Sequence, residues 1–141
     1  LRVLRQKGGM GLAAPQLGEL QRVVAIASHP NARYPYAPKM APMVLINPVV
    51  QEQSTEWVKD WEGCLSVPGL RGLVPRASWV TVTYQDRQGQ TQTVTYEGFV
   101  ARIFQHEFDH LEGRVFVDRV ESPLELMTDR EFAARVVVAG S

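Results

Sequence analysis

The nine residues from Gln105 to Gly113 (QHEFDHLEG) constrain the fold and the chemistry of this chain more than any other segment. They contain two histidines, His106 and His110, four positions apart, and Glu107 lies between them. On an α-helix, residues four apart lie on one face, about one turn (~5.4 Å) along the axis. Both imidazoles can then bind one metal ion, and the glutamate is placed to exchange protons with a water there. The pattern predicts a helix and metal-assisted hydrolysis, but not the compound that is hydrolysed.

The apolar residues around this motif recur at helical spacing, and a glycine follows them. They are Val100, Ile103, Phe104, Phe108 and Leu111. The pattern predicts a helix over residues 98–112 that ends at Gly113 and is buried on most faces, with the histidines at its inner edge. Two buried structural histidines are the alternative, but polar side chains on a buried helix cost free energy unless they are satisfied. The metal interpretation is therefore favoured.

Alternation of apolar and polar residues predicts a β-hairpin, with strands at residues 79–84 and 91–96 and a turn at residues 86–89. The β-branched segment 22–28 predicts another strand. Residues 43–50 predict a strand interrupted at Asn47-Pro48, which suits an edge position or a bulge.

Two further segments have weaker patterns. Residues 52–57 follow the strand at 43–50 and are expected to pair with it. Residues 124–135 predict a short helical stretch, and the valines at 136–138 a final strand.

Composition and charge argue against several classes of function. The 141 residues suffice for one domain with its own core, and 15 basic residues balance 15 acidic ones. The balanced charge and the lack of a long basic run argue against specific nucleic-acid binding. No apolar stretch reaches the roughly 20 residues that span a bilayer, so no membrane partner is predicted. A single cysteine leaves no internal disulfide and suits a reducing compartment, the cytoplasm or an organelle stroma or matrix.

A catalytic metal usually takes three protein ligands and keeps a fourth position for water, so the two histidines need a partner. Cys64, the one cysteine, lies in the turn-like sequence EGCLS at residues 62–66. A lone cysteine is more often a buried apolar residue, yet beside the histidine motif its thiolate would complete a Cys-His-His set. Glu131, downstream of His110, is the competing ligand and would make the chain a zinc endopeptidase. Its neighbours suit an exposed helical face, so Cys64 is favoured.

A glycine-rich segment, GMGLAAPQ at residues 9–16, lacks the glycine spacing and the Gly-Lys-Ser/Thr ending of nucleotide-binding loops. By itself it indicates a tight stretch of small residues that another backbone approaches closely. Together with EGCLS at 62–66 and QHEFDHLEG at 105–113, in the same order and similar spacing, it resembles the peptide deformylases. The resemblance extends from Gly9 to about Arg119. Residues 101–105 (ARIFQ) are more similar to the class 1A subclass, which includes many organelle enzymes.

The resemblance implies a fold class and an activity. The fold would be α+β, with antiparallel or mixed β-sheets packed around a central helix that carries the His-Glu-x-x-His motif. The activity would be metal-dependent removal of the N-formyl group from formyl-methionyl peptides, with release of formate. The implied partner is an N-formyl-methionyl peptide, met in transient proximity to the ribosome. The implied cofactor is one divalent ion, foremost Fe(II), with Ni(II), Co(II) or Zn(II) as other options.

The resemblance also assigns roles to individual residues. The implied metal ligands are Cys64, His106 and His110. Glu107 corresponds to the general acid/base. The side-chain amide of Gln16 and the backbone N–H of Leu65 correspond to the groups that stabilise the oxyanion. Glu62 is expected to support the ligands by hydrogen bonding. Arg102, one helical turn before the first histidine, orients its neighbours or the substrate, or forms a structural ion pair.

The substrate contacts implied by the resemblance are Met10, Gly11 and Gly63. In this family the substrate adds to the protein like an extra strand. The methionine side chain would enter an apolar pocket, for which Met10, Phe99 and Leu65 are candidates. Phe99 and Leu65 could equally be ordinary core residues.

The chain departs from the family in one respect. Deformylases usually carry a strand and a helix ahead of the first motif, whereas eight residues precede Gly9 here. We therefore expect residues 1–141 to form a single catalytic domain without this element. The alternative is a deformylase-like binding protein with weak catalysis.

Overall fold

The computed structural model describes residues 11–13, 22–30, 37–64, 67–132 and 134. Their strands are β1 (Gly11–Ala13), β2 (Val23–Ile26), β3 (Met43–Gln53), β4 (Trp57–Cys64), β5 (Val67–Ala77), β6 (Trp79–Gln85), β7 (Thr91–Glu97) and β8 (Leu126–Thr128). The α-helices are α1 (Gly98–Leu111) and α2 (Asp129–Phe132), and 3₁₀ helices cover Phe116–Arg119 and Pro123–Glu125. The described strands form a five-stranded sheet, β1-β2-β3-β6-β7, and a three-stranded sheet, β4-β5-β8. All of these strand pairs are antiparallel, which confirms the predicted α+β class.

The predicted hairpin is confirmed as β6 and β7. The two strands pair in regular register from Trp79 opposite Glu97 to Gln85 opposite Thr91. The Asp86 side chain accepts hydrogen bonds from two backbone N–H groups of the turn, those of Gln88 and Gln90, both at 2.9 Å. The turn chemistry read from the sequence therefore sets this register.

Strand β3 contains the predicted irregularity as a bulge. Its register against β6 shifts between Ile46 and Val49, and Asn47 has φ +50°. Pro48 has no N–H to donate, so a bulge accommodates it without breaking the sheet. The alternative of an edge position is wrong, because β3 lies between β2 and β6.

One of the weaker expectations, the pairing of residues 52–57 with the strand at 43–50, is wrong. Glu52 and Gln53 continue β3 and pair with β6, whereas Trp57 begins β4 in the other sheet. The chain turns between the sheets at Ser54, whose hydroxyl accepts a hydrogen bond from the N–H of Glu56.

The predicted helical stretch at 124–135 is confirmed only in part: a 3₁₀ helix and β8 occupy its first half, and α2 (Asp129–Phe132) lies in its second half. Strand β8 forms because Leu126 to Thr128 pair with β5, a tertiary contact that outweighs local helical spacing. The valines at 136–138 lie outside the described residues.

Helix α1 lies over the five-stranded sheet and closes the main apolar core. The core residues are Val24, Ile26, Ala37, Leu45, Ala77, Val80, Val82, Tyr84, Tyr96, Ala101, Ile103 and Phe104. The helix ends where predicted, since Gly113 has φ +76° and its N–H donates to the carbonyl of His110. The buried face of α1 also carries polar side chains, which it brings towards β4 and β5. No helix in the described ranges is long and apolar enough to cross a bilayer.

Candidate metal centre

The structure brings Cys64, His106 and His110 together. Cys64 is the last residue of β4, and the histidines lie one turn apart on the buried face of α1. One side-chain donor atom from each residue lies within 4.8 Å of the other two, and Cys64 Sγ is 3.3 Å from His110 Nε2. Glu131, the competing ligand, is exposed on α2 and does not belong to this cluster.

The donor set fits a divalent transition metal. His106 Nδ1 lies 2.8 Å from Glu62 Oε1, so this nitrogen donates its hydrogen to the carboxylate and Nε2 is left to bind. Burial lowers the pKa of His106, but hydrogen bonds with Cys64 and Glu62 outweigh this effect and raise it to about 10. The surroundings thus favour positive charge, which a bound cation supplies. One thiolate and two imidazoles suit iron, cobalt, nickel or zinc better than magnesium or calcium.

Glu107 is buried beside this cluster. Its Oε1 has no hydrogen-bond partner among the described residues, and it lies 4.0 Å from His110 Nε2. Burial raises the pKa of Glu107 to about 7, although the charges of both histidines act in the opposite direction. A buried carboxylate oxygen without a partner is costly, and it is typical of a group that meets water or a ligand.

Strand β1 contacts this glutamate through Gly11. A Cβ atom at position 11 would lie 2.7 Å from Glu107 Cγ and 2.8 Å from Ile103 Cγ2. These distances are too short for any side chain larger than hydrogen. The glycine therefore allows the edge of the five-stranded sheet to lie directly against α1 at the candidate site.

Glu62 is the centre of a buried network of charges. Its Oε2 accepts hydrogen bonds from Arg102 Nη1 at 2.6 Å and from Arg76 Nε at 2.9 Å. Its Oε1 accepts from Arg76 Nη2 at 2.9 Å and from His106. Burial raises the pKa of Glu62, but the charge of Arg76 and its hydrogen bonds outweigh this and hold it well below the usual range. Glu62 is therefore a carboxylate that orients His106, the contact predicted from the sequence.

The remaining site residues predicted from the sequence fall into different places. Met10, Gln16 and Leu65 lie outside the described residues. Gly63 lies under Arg71, whose guanidinium occupies the space that a Cβ would need. Phe99 packs against the apolar core. Arg102 is buried in the ion pair with Glu62, so of the roles left open for it the geometry favours contacts within the protein over contact with a substrate.

A comparison with known protein families shows which family has this sequence. The sequence profile described as polypeptide deformylase matches residues 1–125. The chain belongs to the polypeptide deformylase family. The resemblance seen in the three motifs is thereby confirmed.

Relatives in the deformylase family match over most of the chain. It is 56% identical over 124 residues to Peptide deformylase 2 of Nostoc sp., covering 88% of this chain and 69% of the relative. It is 45% identical to Peptide deformylase 2 of Shewanella oneidensis, covering 87% and 68%. A Met-Ala-Ser-bound crystal structure of a class I type b peptide deformylase from Acinetobacter baumannii has a TM-score of 0.82 at 48% identity, covering 83% and 74%. The class 1A subclass stays a prediction.

Sequence reasoning missed two members of this deformylase-family site, Arg76 and Asp109. Arg76 Nη1 donates to Asp109 Oδ2 at 2.6 Å, and Asp109 also accepts from Arg119. One signal could have indicated Asp109, because positions 102, 106 and 109 follow helical spacing on one stripe of α1. Arg76 lies in a strand far from every motif, so no local pattern indicates it.

Proposed function

We propose that this chain is a peptide deformylase that hydrolyses the N-formyl group of formyl-methionyl peptides and releases formate. The observation that carries the proposal is the group of Cys64, His106 and His110 in a chain of this family, with Glu107 beside it, whose buried Oε1 has no hydrogen-bond partner among the described residues. The exposed position of Glu131 disfavours the zinc endopeptidase alternative.

Cys64, His106 and His110 would hold one divalent ion in this proposal. When bound, such an ion supplies Lewis acidity, which polarises a carbonyl oxygen and lowers the pKa of a water molecule. Glu62 holds the imidazole of His106 in the tautomer that binding requires. We assign Fe(II) as the native ion on the family resemblance, with Ni(II), Co(II) and Zn(II) as substitutes.

Glu107 would transfer the proton of the reaction. Its carboxylate accepts the proton of the attacking water as the carbon–oxygen bond to the formyl carbon forms. It then donates that proton to the amine as the carbon–nitrogen bond breaks, which leaves formate and a free N-terminus. We assign this proton to Oε1, which has no hydrogen-bond partner among the described residues. Burial supports this role, because it raises the pKa of Glu107 and so favours the protonated form that returns the proton to the amine.

Negative charge on the formyl oxygen needs hydrogen-bond donors. We assign the side-chain amide of Gln16 and the backbone N–H of Leu65 to this task. Removal of one such donor typically costs about 10²–10³ in rate.

The peptide would bind as an additional strand between the two sheets. Strand β1 is an edge of the five-stranded sheet and β4 an edge of the three-stranded sheet among the described strands. Gly11 of β1 lies against Glu107, and Gly63 of β4 precedes Cys64, so both edges reach the site. An extended peptide could hydrogen-bond to such edges. Met10 and Leu65 are candidates for the methionine pocket, and Phe99 is assigned to it less readily because it packs on the core.

The natural substrates would be nascent chains that still carry the formyl group. The enzyme would meet them close to the ribosome, in the cytoplasm of a bacterium or in an organelle stroma or matrix. Relatives from Nostoc and Shewanella, both bacteria, support this assignment.

Formate release from formyl-Met-Ala-Ser tests the proposed function. Protein purified anaerobically and loaded with Fe(II) or Ni(II) should release one formate for each Met-Ala-Ser formed. A chelator should stop the reaction and the metal should restore it, because the proposed reaction depends on the Lewis acidity of a bound ion. Cleavage of the internal peptide bonds would instead support an endopeptidase. A folded, metal-loaded sample without turnover would contradict the proposal.

Replacing Gly11 with Ala should lower both stability and activity. The new Cβ would overlap Glu107 Cγ and Ile103 Cγ2, so β1 or the glutamate must move. Overpacking of this kind typically costs about 1–3 kcal/mol of unfolding free energy. Urea unfolding and formate release measure the two effects.

Gly89→Ala is the matched control for this variant. Gly89 has φ +79°, so alanine is strained there, but no atom lies within 4 Å of the new Cβ and the turn is far from the site. It should lower stability and leave kcat unchanged. Equal losses of kcat in both variants would contradict the role given to the close approach of Gly11.

A further inference from the structure

The ligands of the proposed metal site come from two elements that the apolar core does not join. Cys64 ends β4, whereas His106 and His110 lie on α1. The core packs α1 against the five-stranded sheet and Ala77 of β5. Among the described residues, β4 contributes no member to this cluster and no partly buried apolar residue packed against it. In the described part of the chain, apolar packing reaches the imidazoles from the β4 side only through Phe116, which stacks on His106, so polar contacts between α1 and β4 are the main candidates for setting the distance between the thiolate and the imidazoles.

Strand pairing does not fix the position of Cys64. Strand β4 pairs with β5 in regular register from Trp57 opposite Ala77 to Gly63 opposite Arg71. The register then shifts, and Cys64 lies opposite Val67. A register shift loosens the geometric relation between paired strands. The ladder thus holds the body of β4, but it does not fix Cys64 relative to α1.

Arg102 connects α1 directly to β4, as does the hydrogen bond from His106 Nδ1 to Glu62 Oε1, but Arg102 is not itself a proposed metal ligand. Its Nη1 donates to Glu62 Oε2 at 2.6 Å, and its Nη2 donates to the backbone carbonyl of Val58, both on β4. Nη1 also donates to the carbonyl of Val74 on β5 at 2.8 Å. The Arg102 side chain is 8% exposed and that of Glu62 5%, so water does not compete for these bonds.

We propose that Arg102 is a positioning residue that holds β4 against α1 and thereby sets the spacing between the Cys64 thiolate and the two imidazoles. The proposal rests on the metal site of the proposed function. Arg102 lies one helical turn before His106, so its contacts fix the same part of α1 that carries the ligands. Its bonds reach β4 at Val58 and at Glu62, on both sides of the strand's midpoint, and therefore resist both sliding and tilting.

Arg76 has a related but separate task. It extends from β5, donates to both oxygens of Glu62 and reaches Asp109 on α1. It therefore connects β4 to α1 through two carboxylates, whereas Arg102 makes the connection in one step. Gln105 ties α1 to β5 by two hydrogen bonds with the backbone of Ala77, and it does not reach β4.

The planar guanidinium suits this task better than an ammonium. Its N–H groups point in fixed directions and reach one carboxylate and two carbonyls on different strands at once. Lysine concentrates its donors on one nitrogen and cannot serve all three partners. Methionine fills a similar volume and serves none of them.

The variants Arg102→Met and Arg102→Lys test the proposal, with Lys59→Met as the matched control. Lys59 also lies on β4 and forms ion pairs with Glu121 and Glu125, but its side chain is 42% exposed. The measured quantities are the dissociation constant of Co(II) by chelator competition and the sulfur-to-cobalt charge-transfer absorption. Urea unfolding gives stability, and formate release gives kcat and KM.

We expect R102M to weaken Co(II) binding about 10- to 100-fold, the range typical of lost partners behind metal ligands. The charge-transfer band should weaken because Cys64 leaves coordination, and kcat should fall more than KM changes. R102K should lie between R102M and the unchanged protein. K59M should match the unchanged protein in Co(II) affinity and absorption. A purely structural role for Arg102 would lower stability without changing the band.

Unchanged Co(II) affinity and absorption in folded R102M would overturn the proposal. If R102M does not fold, R102K decides. Full affinity and a full band in R102K overturn the proposal, and weakened affinity with normal unfolding supports it. The test also separates this proposal from the proposed function, because Co(II) binding through Cys64 is read without substrate. A chain that binds Co(II) but releases no formate would contradict the deformylase assignment only.

Discussion

Replacing Cys64 with Ala should remove metal binding and, with it, formate release. The thiolate is one of three donor groups within 4.8 Å of each other, and no other side chain belongs to this cluster among the described residues. Loss of a direct ligand should exceed the roughly 10- to 100-fold loss of affinity typical of outer partners. Metal content after gel filtration and the Co(II) dissociation constant measure the effect.

Glu131→Ala is the control that separates the two candidate ligands. Glu131 is exposed on α2, and its replacement should leave metal content and activity unchanged. Full metal content in Cys64→Ala together with loss of metal in Glu131→Ala would show that Glu131 is the third ligand and would favour the endopeptidase hypothesis. Unfolding curves of both variants show whether any loss of metal reflects a loss of fold.

Replacing Glu107 with Gln should lower kcat by about 10²–10⁴ while the protein keeps its metal. The amide has nearly the shape of the carboxylate but cannot accept and return a proton. Glu107 does not belong to the ligand cluster, so metal content should not change. The unfolding free energy should not fall, because the substitution replaces a buried charge, whose Oε1 has no hydrogen-bond partner among the described residues, with a neutral amide. Steady-state formate release and urea unfolding measure these effects.

Glu112→Gln is the matched control for this variant. Glu112 follows the same helix, but its side chain is half exposed and pairs with Arg22 at the surface. An exposed ion pair contributes about 0–1 kcal/mol, so the control should match the unchanged protein in kcat. A metal-loaded Glu107→Gln variant with unchanged kcat would exclude the carboxylate as the group that moves the proton.

Two opposed effects determine the stability of this site: burial of its charges costs free energy, and the ion pairs between them offset that cost. Glu62, Arg76 and Asp109 are all buried, and an isolated charge in such surroundings costs several kcal/mol. Each carboxylate accepts from two arginines, so none is left without a partner. Removal of Glu62 would leave the buried guanidinium of Arg102 without its ion pair. Such networks are therefore expected to respond to single substitutions more strongly than surface ion pairs do.

The sequence predicted those parts of the fold that local patterns determine. The β6–β7 hairpin follows from alternation and from Asp86 in the turn, and α1 follows from apolar spacing with Gly113 at its end. The bulge at Asn47-Pro48 follows from the missing N–H of proline. The pairing of residues 52–57 was wrong, and the helix at 124–135 was confirmed only at residues 129–132, because contacts with distant strands decided the rest of both segments.

By itself the sequence predicted the chemistry that we propose for the site. Two histidines four apart on a helix share one face, so the period of the helix alone predicted that His106 and His110 lie together with Glu107 beside them. Cys64 could be named as the third donor, but only tertiary structure brings its Sγ to 3.3 Å from His110.

Only the tertiary structure decided what holds these groups in place. Glu62, which accepts hydrogen bonds from Arg76 and Arg102, lies 44 positions before His106, the imidazole that it orients. Arg76 also pairs with Asp109. The close approach of Gly11 to Glu107 brings β1 against α1, and no local sequence pattern relates these two segments. The physical reason is the distance along the chain over which the interactions act. Periodicity reflects interactions between residues that are close in sequence. Buried ion pairs and strand pairing form between distant segments that meet only when the chain has folded.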